Sequence, residues 1–129
     1  MADPLRILIA DDDAALLQVL TEALQLAGHI PTQAGTVSDL LTALRGAATF
    51  DLILTDMFAA DYSEISTTLR ELRDATGDTP ILLITGWAEI ENEAPRLAAT
   101  DILVKPFSLD QLLERIDSLV HRPTASNDV

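Results

Sequence analysis

One lysine, Lys105, serves a chain of 129 residues in which acidic side chains outnumber basic ones 21 to 8. It closes the apolar run Ile102-Leu103-Val104 and is held by the following Pro106-Phe107, a placement that reads as selected. Carboxylates close two other apolar runs: Asp11-Asp12-Asp13 follows Ile7-Leu8-Ile9-Ala10, and Asp56 follows Leu52-Ile53-Leu54-Thr55. A hydroxyl, Thr85, closes Ile81-Leu82-Leu83-Ile84. Crowded carboxylates repel one another unless a cation offsets them, and hard oxygen donors favour Mg²⁺ or Mn²⁺. A carboxylate beside such a cation can attack phosphorus and become an aspartyl phosphate. An ammonium and a hydroxyl are the groups that neutralise the equatorial oxygens of a transferring phosphoryl group.

These residues meet only if their strands lie parallel in one sheet. Short apolar runs alternate with longer amphipathic ones along the chain, the pattern of a parallel sheet with crossover helices. The first run, Ile7 to Ala10, is continuous, as expected of a strand buried on both faces, and further strands are expected at Leu52 to Thr55, Pro80 to Thr85 and Ile102 to Val104. The Ile81 run is the most apolar and is expected at the centre. A weaker run from Ile30 to Ala34 contains Pro31, which cannot donate to a ladder and belongs at a sheet edge. Between them, Leu16, Leu17, Leu20, Leu24 and Ala27 form one helical stripe, with Asp13 as its N-cap and Gly28 just past its end. Val37, Leu40, Leu41 and Leu44 form a second stripe, and Ile65, Leu69 and Leu72 a third, closed by Gly77. Leu109, Leu112, Leu113, Ile116 and Leu119 form the last, capped by Ser108. The stretch around Glu89, Glu91 and Glu93 is the poorest helix, because Pro95 breaks an interior turn. The expected fold is α/β, a three-layer doubly wound five-stranded parallel sheet of flavodoxin-like strand order 2-1-3-4-5. In such a sheet function gathers beyond the carboxyl ends of the strands, where Asp11, Asp12, Asp56, Thr85 and Lys105 stand.

Composition narrows the function. A formal net charge of -13 argues against nucleic acid as a partner of this chain. No window approaches a membrane span, and the start Met-Ala-Asp-Pro-Leu-Arg lacks a signal-peptide run. The absence of cysteine removes disulfides and thiolate metal sites, and fits a cytoplasmic protein. His29 and His121 lie too far apart in sequence to suggest a histidine metal site. One domain over residues 1–122 with a polar tail over 123–129 is the expected organisation.

The ordered motifs resemble the receiver domain of two-component response regulators, the chemotaxis-regulator type of fold, over residues 5 to 121. Asp11-Asp12 resembles the family's acidic pair after the first strand, and Asp51-Leu-Ile-Leu-Thr-Asp56 the strand that ends in its phosphoacceptor. Thr85-Gly86 resembles its switch threonine or serine, and Lys105-Pro106 its lysine before a cis-proline bond. The resemblance implies phosphorylation of Asp56, with Asp11, Asp12, Asp56 and the backbone carbonyl of Phe58 as Mg²⁺ ligands. It implies a sensor histidine kinase or histidine phosphotransfer protein as donor, and a small phosphodonor as a substitute. A downstream protein target and phosphorylation-dependent dimerisation are further expectations, with self-catalysed phosphotransfer and autodephosphorylation in place of enzymatic turnover.

The chain departs from the family pattern in places. Ala59, Ala60 and Glu64 stand where the family shows Met-Pro and a later glycine, and Ile102 replaces an aromatic residue that rotates on activation. Switching is therefore expected to work by ordering residues 86 to 98, carrying Trp87, the only tryptophan. Two other readings fit part of this pattern. A haloacid-dehalogenase-like Mg²⁺-dependent phosphatase would use Asp11 as nucleophile, but it leaves Asp56 unexplained and lacks a later acidic motif. A receiver-like interaction module without phosphorylation is the other.

Overall fold

The computed structural model describes residues 4–46, 48–56, 62–86 and 99–120. The expected helix around Glu89 to Pro95 lies outside the described residues, as do Phe58, Ala59, Ala60, Trp87, His121 and the tail over 123–129. The elements run β1 (Arg6–Ala10), α1 (Ala14–Leu26), β2 (Ile30–Ala34), α2 (Val37–Arg45), β3 (Leu52–Asp56), α3 (Tyr62–Thr76), β4 (Ile81–Thr85), β5 (Asp101–Val104) and α4 (Leu109–Val120).

All strand pairs are parallel, and the sheet order is β2-β1-β3-β4-β5, as the alternating pattern requires. Pro31 does lie on an edge strand. The central position belongs to β3 rather than to the more apolar β4, which is nevertheless interior and buried along its whole length. Apolar content therefore reports burial on both faces, which β1, β3 and β4 share, and does not rank interior strands.

Strand side chains alternate faces, so each interior strand feeds two cores. Leu8, Ala10, Ile53, Ile81, Leu83 and Ile102 pack with Leu40 of α2 and with Ile65, Leu69 and Leu72 of α3. Ile7, Ile9, Leu52, Leu54, Leu82, Ile84 and Leu103 pack with Leu17, Leu20 and Leu24 of α1 and with Leu112, Ile116 and Leu119 of α4. Each fully buried Leu or Ile contributes about 1.5–3 kcal/mol against conformational entropy. Within the expected stripes, Leu16, Val37, Leu41, Leu44 and Leu113 are only partly buried and Leu109 is exposed, while Ala27 lies past α1 as its exposed C-cap, so the packed faces are narrower than the apolar stripes.

The helix ends follow the expected chemistry. Asp13 caps α1 by accepting from the Ala15 and Leu16 N–H groups, and the Ser108 hydroxyl accepts from Gln111 N–H while Gln111 reaches back to Ser108 N–H. Gly28 and Gly77 take the left-handed conformation, φ 93° and 69°, that ends α1 and α3.

Candidate phosphoryl and metal site

Strand register brings the sequence-predicted residues to one edge. Ala10 is aligned with Thr55, so Asp11 and Asp56 are the next residues along neighbouring strands. Asp56 is aligned with Ile84, and Thr85 with Val104, so Thr85 and Lys105 follow on the other side. One carboxylate oxygen from each of Asp11, Asp12 and Asp56 lies within 4.8 Å of the others. Lys105 Nζ is 3.3 Å from Asp56 Oδ1. The Lys105 N–H donates to the Thr85 carbonyl at 2.7 Å, tying the hydroxyl-bearing and ammonium-bearing strand ends together. Thr85 is fully buried, and the Lys105-Pro106 peptide bond is cis, as the resemblance implied.

The three carboxylates differ in environment. Asp12 is exposed, Asp56 is partly covered, and Asp11 is only 1% exposed. Burial, reinforced by the charges of Asp56 and Asp12, pushes the Asp11 carboxyl up to about 6, against the opposing pull of the Asp13 N–H and Lys105. Asp11 Oδ1 accepts from the Asp13 N–H at 2.8 Å. Among the described residues, Asp11 Oδ2 is the buried side-chain oxygen left without a hydrogen-bond partner. An orphaned buried carboxylate oxygen is costly, and here it sits beside two more carboxylates. The donor set is all hard oxygen, so the residues present fit Mg²⁺ or Mn²⁺, which Asp11, Asp12 and Asp56 would hold. Phe58, the remaining expected ligand, lies outside the described residues.

Two further contacts were not legible beforehand. The Thr55 hydroxyl donates to the Asp56 carbonyl at 2.9 Å, and Asp13, expected only as a cap, also binds Asp11 through its backbone. An aspartate run ahead of an apolar stripe signals the cap, but nothing in it signals which neighbour the backbone N–H meets.

Comparison with known proteins identifies the family and the fold. The response regulator receiver domain family matches residues 7–117. The cell cycle transcriptional regulator CtrA of Caulobacter vibrioides is 34% identical over 122 residues, covering 92% of this chain and 51% of CtrA. The chain thus spans about half the length of the first curated relatives it matches. Among solved structures, the receiver domain of a Francisella response regulator is 27% identical with a TM-score of 0.79, covering 92% of this chain and 98% of that one. The response regulator TrrA of Thermotoga maritima, solved with Mg²⁺ and beryllium fluoride, is 27% identical with a TM-score of 0.75, covering 88% and 97%. With these relatives and a strand-end constellation of this kind, the chain belongs to the response regulator receiver domain family of two-component signalling.

Proposed function

We propose that this domain accepts a phosphoryl group on Asp56 from a phosphohistidine, with Mg²⁺ held by Asp11, Asp12 and Asp56, and thereby switches a protein-binding surface. The observation that carries this reading is the meeting of three carboxylates within 4.8 Å with Lys105 3.3 Å from one of them. An oxygen of Asp56 forms the new bond to phosphorus as the bond from phosphorus to the donor imidazole breaks and its electron pair leaves with the ring nitrogen. Lys105 donates to the phosphoryl oxygens, exchanging its contact with Asp56 for one with the transferred group. The Thr85 hydroxyl supplies a second donor from the neighbouring strand. Bound Mg²⁺ supplies positive charge to the same oxygens and removes the carboxylate repulsion. Asp56 is regenerated by water, so the domain is a phosphorylated switch and not an enzyme acting on a separate substrate.

The donor in this reading is a sensor histidine kinase or histidine phosphotransfer protein, the site of action is the cytoplasm, and the receiver body ends near residue 122. The neighbour TrrA, solved with Mg²⁺ and beryllium fluoride, supports the ligand class. The phosphatase alternative is disfavoured by Asp11 itself: its Oδ1 is held by the Asp13 N–H, a hydrogen bond that blunts a nucleophile, and the alternative leaves Asp56 and its contact with Lys105 unexplained. Mass spectrometry after treatment with a small phosphodonor and Mg²⁺ tests the reading. A stable adduct on Asp56 is expected; steady turnover of the donor through Asp11, or no modification, would overturn it.

A further inference from the structure

Asp13 has no part in the chemistry above, yet hydrogen bonds on it point in two directions. Its side chain accepts from the Ala15 N–H at 3.0 Å and the Leu16 N–H at 3.1 Å, starting α1. Its carbonyl accepts from the Leu17 N–H at 2.9 Å, the first full turn of that helix. These bonds fix the residue in extended backbone, φ -87° and ψ 103°. With the residue so fixed, its own N–H donates to Asp11 Oδ1 at 2.8 Å. Among the described residues, Asp11 Oδ2 is then the buried oxygen with no partner of its own, on a side chain 1% exposed.

We propose that Asp13 is a positioning residue for the metal site: by capping α1 it holds its backbone N–H on Asp11 Oδ1 and leaves Oδ2 committed to the cation. This rests on the Mg²⁺ reading given above and deepens it. A carboxylate gripped through one oxygen cannot rotate freely, so the other oxygen is presented without loss of rotamer entropy on binding. Groups that orient metal ligands in this way change metal affinity about 10–100-fold when removed. The competing account, in which Asp13 is a helix cap and nothing more, predicts lower thermal stability with unchanged affinity for the cation. A third account, in which Asp13 acts by its exposed negative charge, predicts that any neutral replacement weakens binding.

The substitutions separate these accounts. Asn caps helices as well as Asp, whereas Ala does not. Mg²⁺ affinity is measured by calorimetry and by the Mg²⁺-dependent rise in melting temperature on wild type, Asp13→Asn, Asp13→Ala and Leu119→Val, the last being a destabilised control at the far end of α4. The proposal expects Asp13→Asn to bind within about twofold of wild type and Asp13→Ala about tenfold more weakly, with the control unchanged. Where Asp13→Ala does not fold, Asp13→Gly, which a helix start tolerates, must show the same loss. Wild-type affinity in the Ala or Gly variant, or equal losses in Asn and Ala, would overturn the positioning role while leaving the metal site standing. Absence of Mg²⁺ binding to wild type would overturn the metal reading itself, and the positioning role with it.

Discussion

The two ends of this one sheet are built on opposite terms. At the amino ends of the strands, side chains bond main-chain groups far away in the sequence. Arg6 donates from its backbone to Asp51 and from its side chain to the Thr49 carbonyl, and the Leu5 N–H donates to His29 Nδ1. Arg73 at the end of α3 gathers the carbonyls of Gly77 and Thr79 and the hydroxyl of Thr100, which in turn accepts from the Ile81 N–H. At the carboxyl ends, three carboxylates face one another, and Asp11 is buried with one oxygen unanswered. The same parallel strands support both ends, and the difference comes from which side chains stand beside their backbone groups. One end adds stability, and the other gives stability up by crowding and burying like charges.

The largest effect expected from breaking this contrast is chemical. Asp56→Asn removes the nucleophile with little change in shape, so incorporation from a phosphodonor should fall to background while the melting temperature holds or rises. Label entering this variant at the wild-type rate would assign the acceptor elsewhere. Asp11→Asn should separate the two ends most clearly in stability. Relieving a buried carboxylate raised from 3.8 to about 6 should stabilise the Mg²⁺-free protein by on the order of 2 kcal/mol at neutral pH, read by urea unfolding. The same variant should lose most of its stabilisation by Mg²⁺. At the other end, Arg73→Ala should cost about 1–3 kcal/mol, because it removes charged hydrogen bonds to main-chain acceptors. Its Mg²⁺ affinity should be that of wild type, and a matched loss of affinity would show that the two ends are not independent.

The smallest effect is a slope with pH. The Asp11 carboxyl is raised in the folded protein, so the folded state holds this proton at pH values where the unfolded chain has released it. Its contribution therefore favours folding below the ordinary carboxylate value and is lost as pH rises toward about 6. The difference in stability between wild type and Asp11→Asn, measured without Mg²⁺, should widen across that window and flatten above it. A difference independent of pH would place the Asp11 carboxyl at an ordinary value.

What could be read in the sequence divides along the same line. Apolar runs ending in Asp11, Asp56, Thr85 and Lys105 announce both the parallel sheet and the edge where those residues meet, because a parallel sheet places all strand ends together. The cap at Asp13 and the edge position of Pro31 follow from local chemistry. The amino-end network was not legible, since Leu5 meets His29 and Arg6 meets Asp51 across distances in sequence that leave no local pattern. The second bond of Asp13 was hidden for another reason: a backbone N–H has no residue type to betray its partner. The middle place of β3 depended on sheet order, which apolar content does not encode.

A crystal structure of the protein with Mg²⁺ and beryllium fluoride, a phosphoryl mimic, tests the central claim most directly. The account predicts the mimic bonded to the Asp56 carboxylate, a cation coordinated by Asp11, Asp12 and Asp56, and Lys105 and Thr85 donating to the fluorines. A mimic bonded to Asp11, or a cation bound without Asp11, would contradict it.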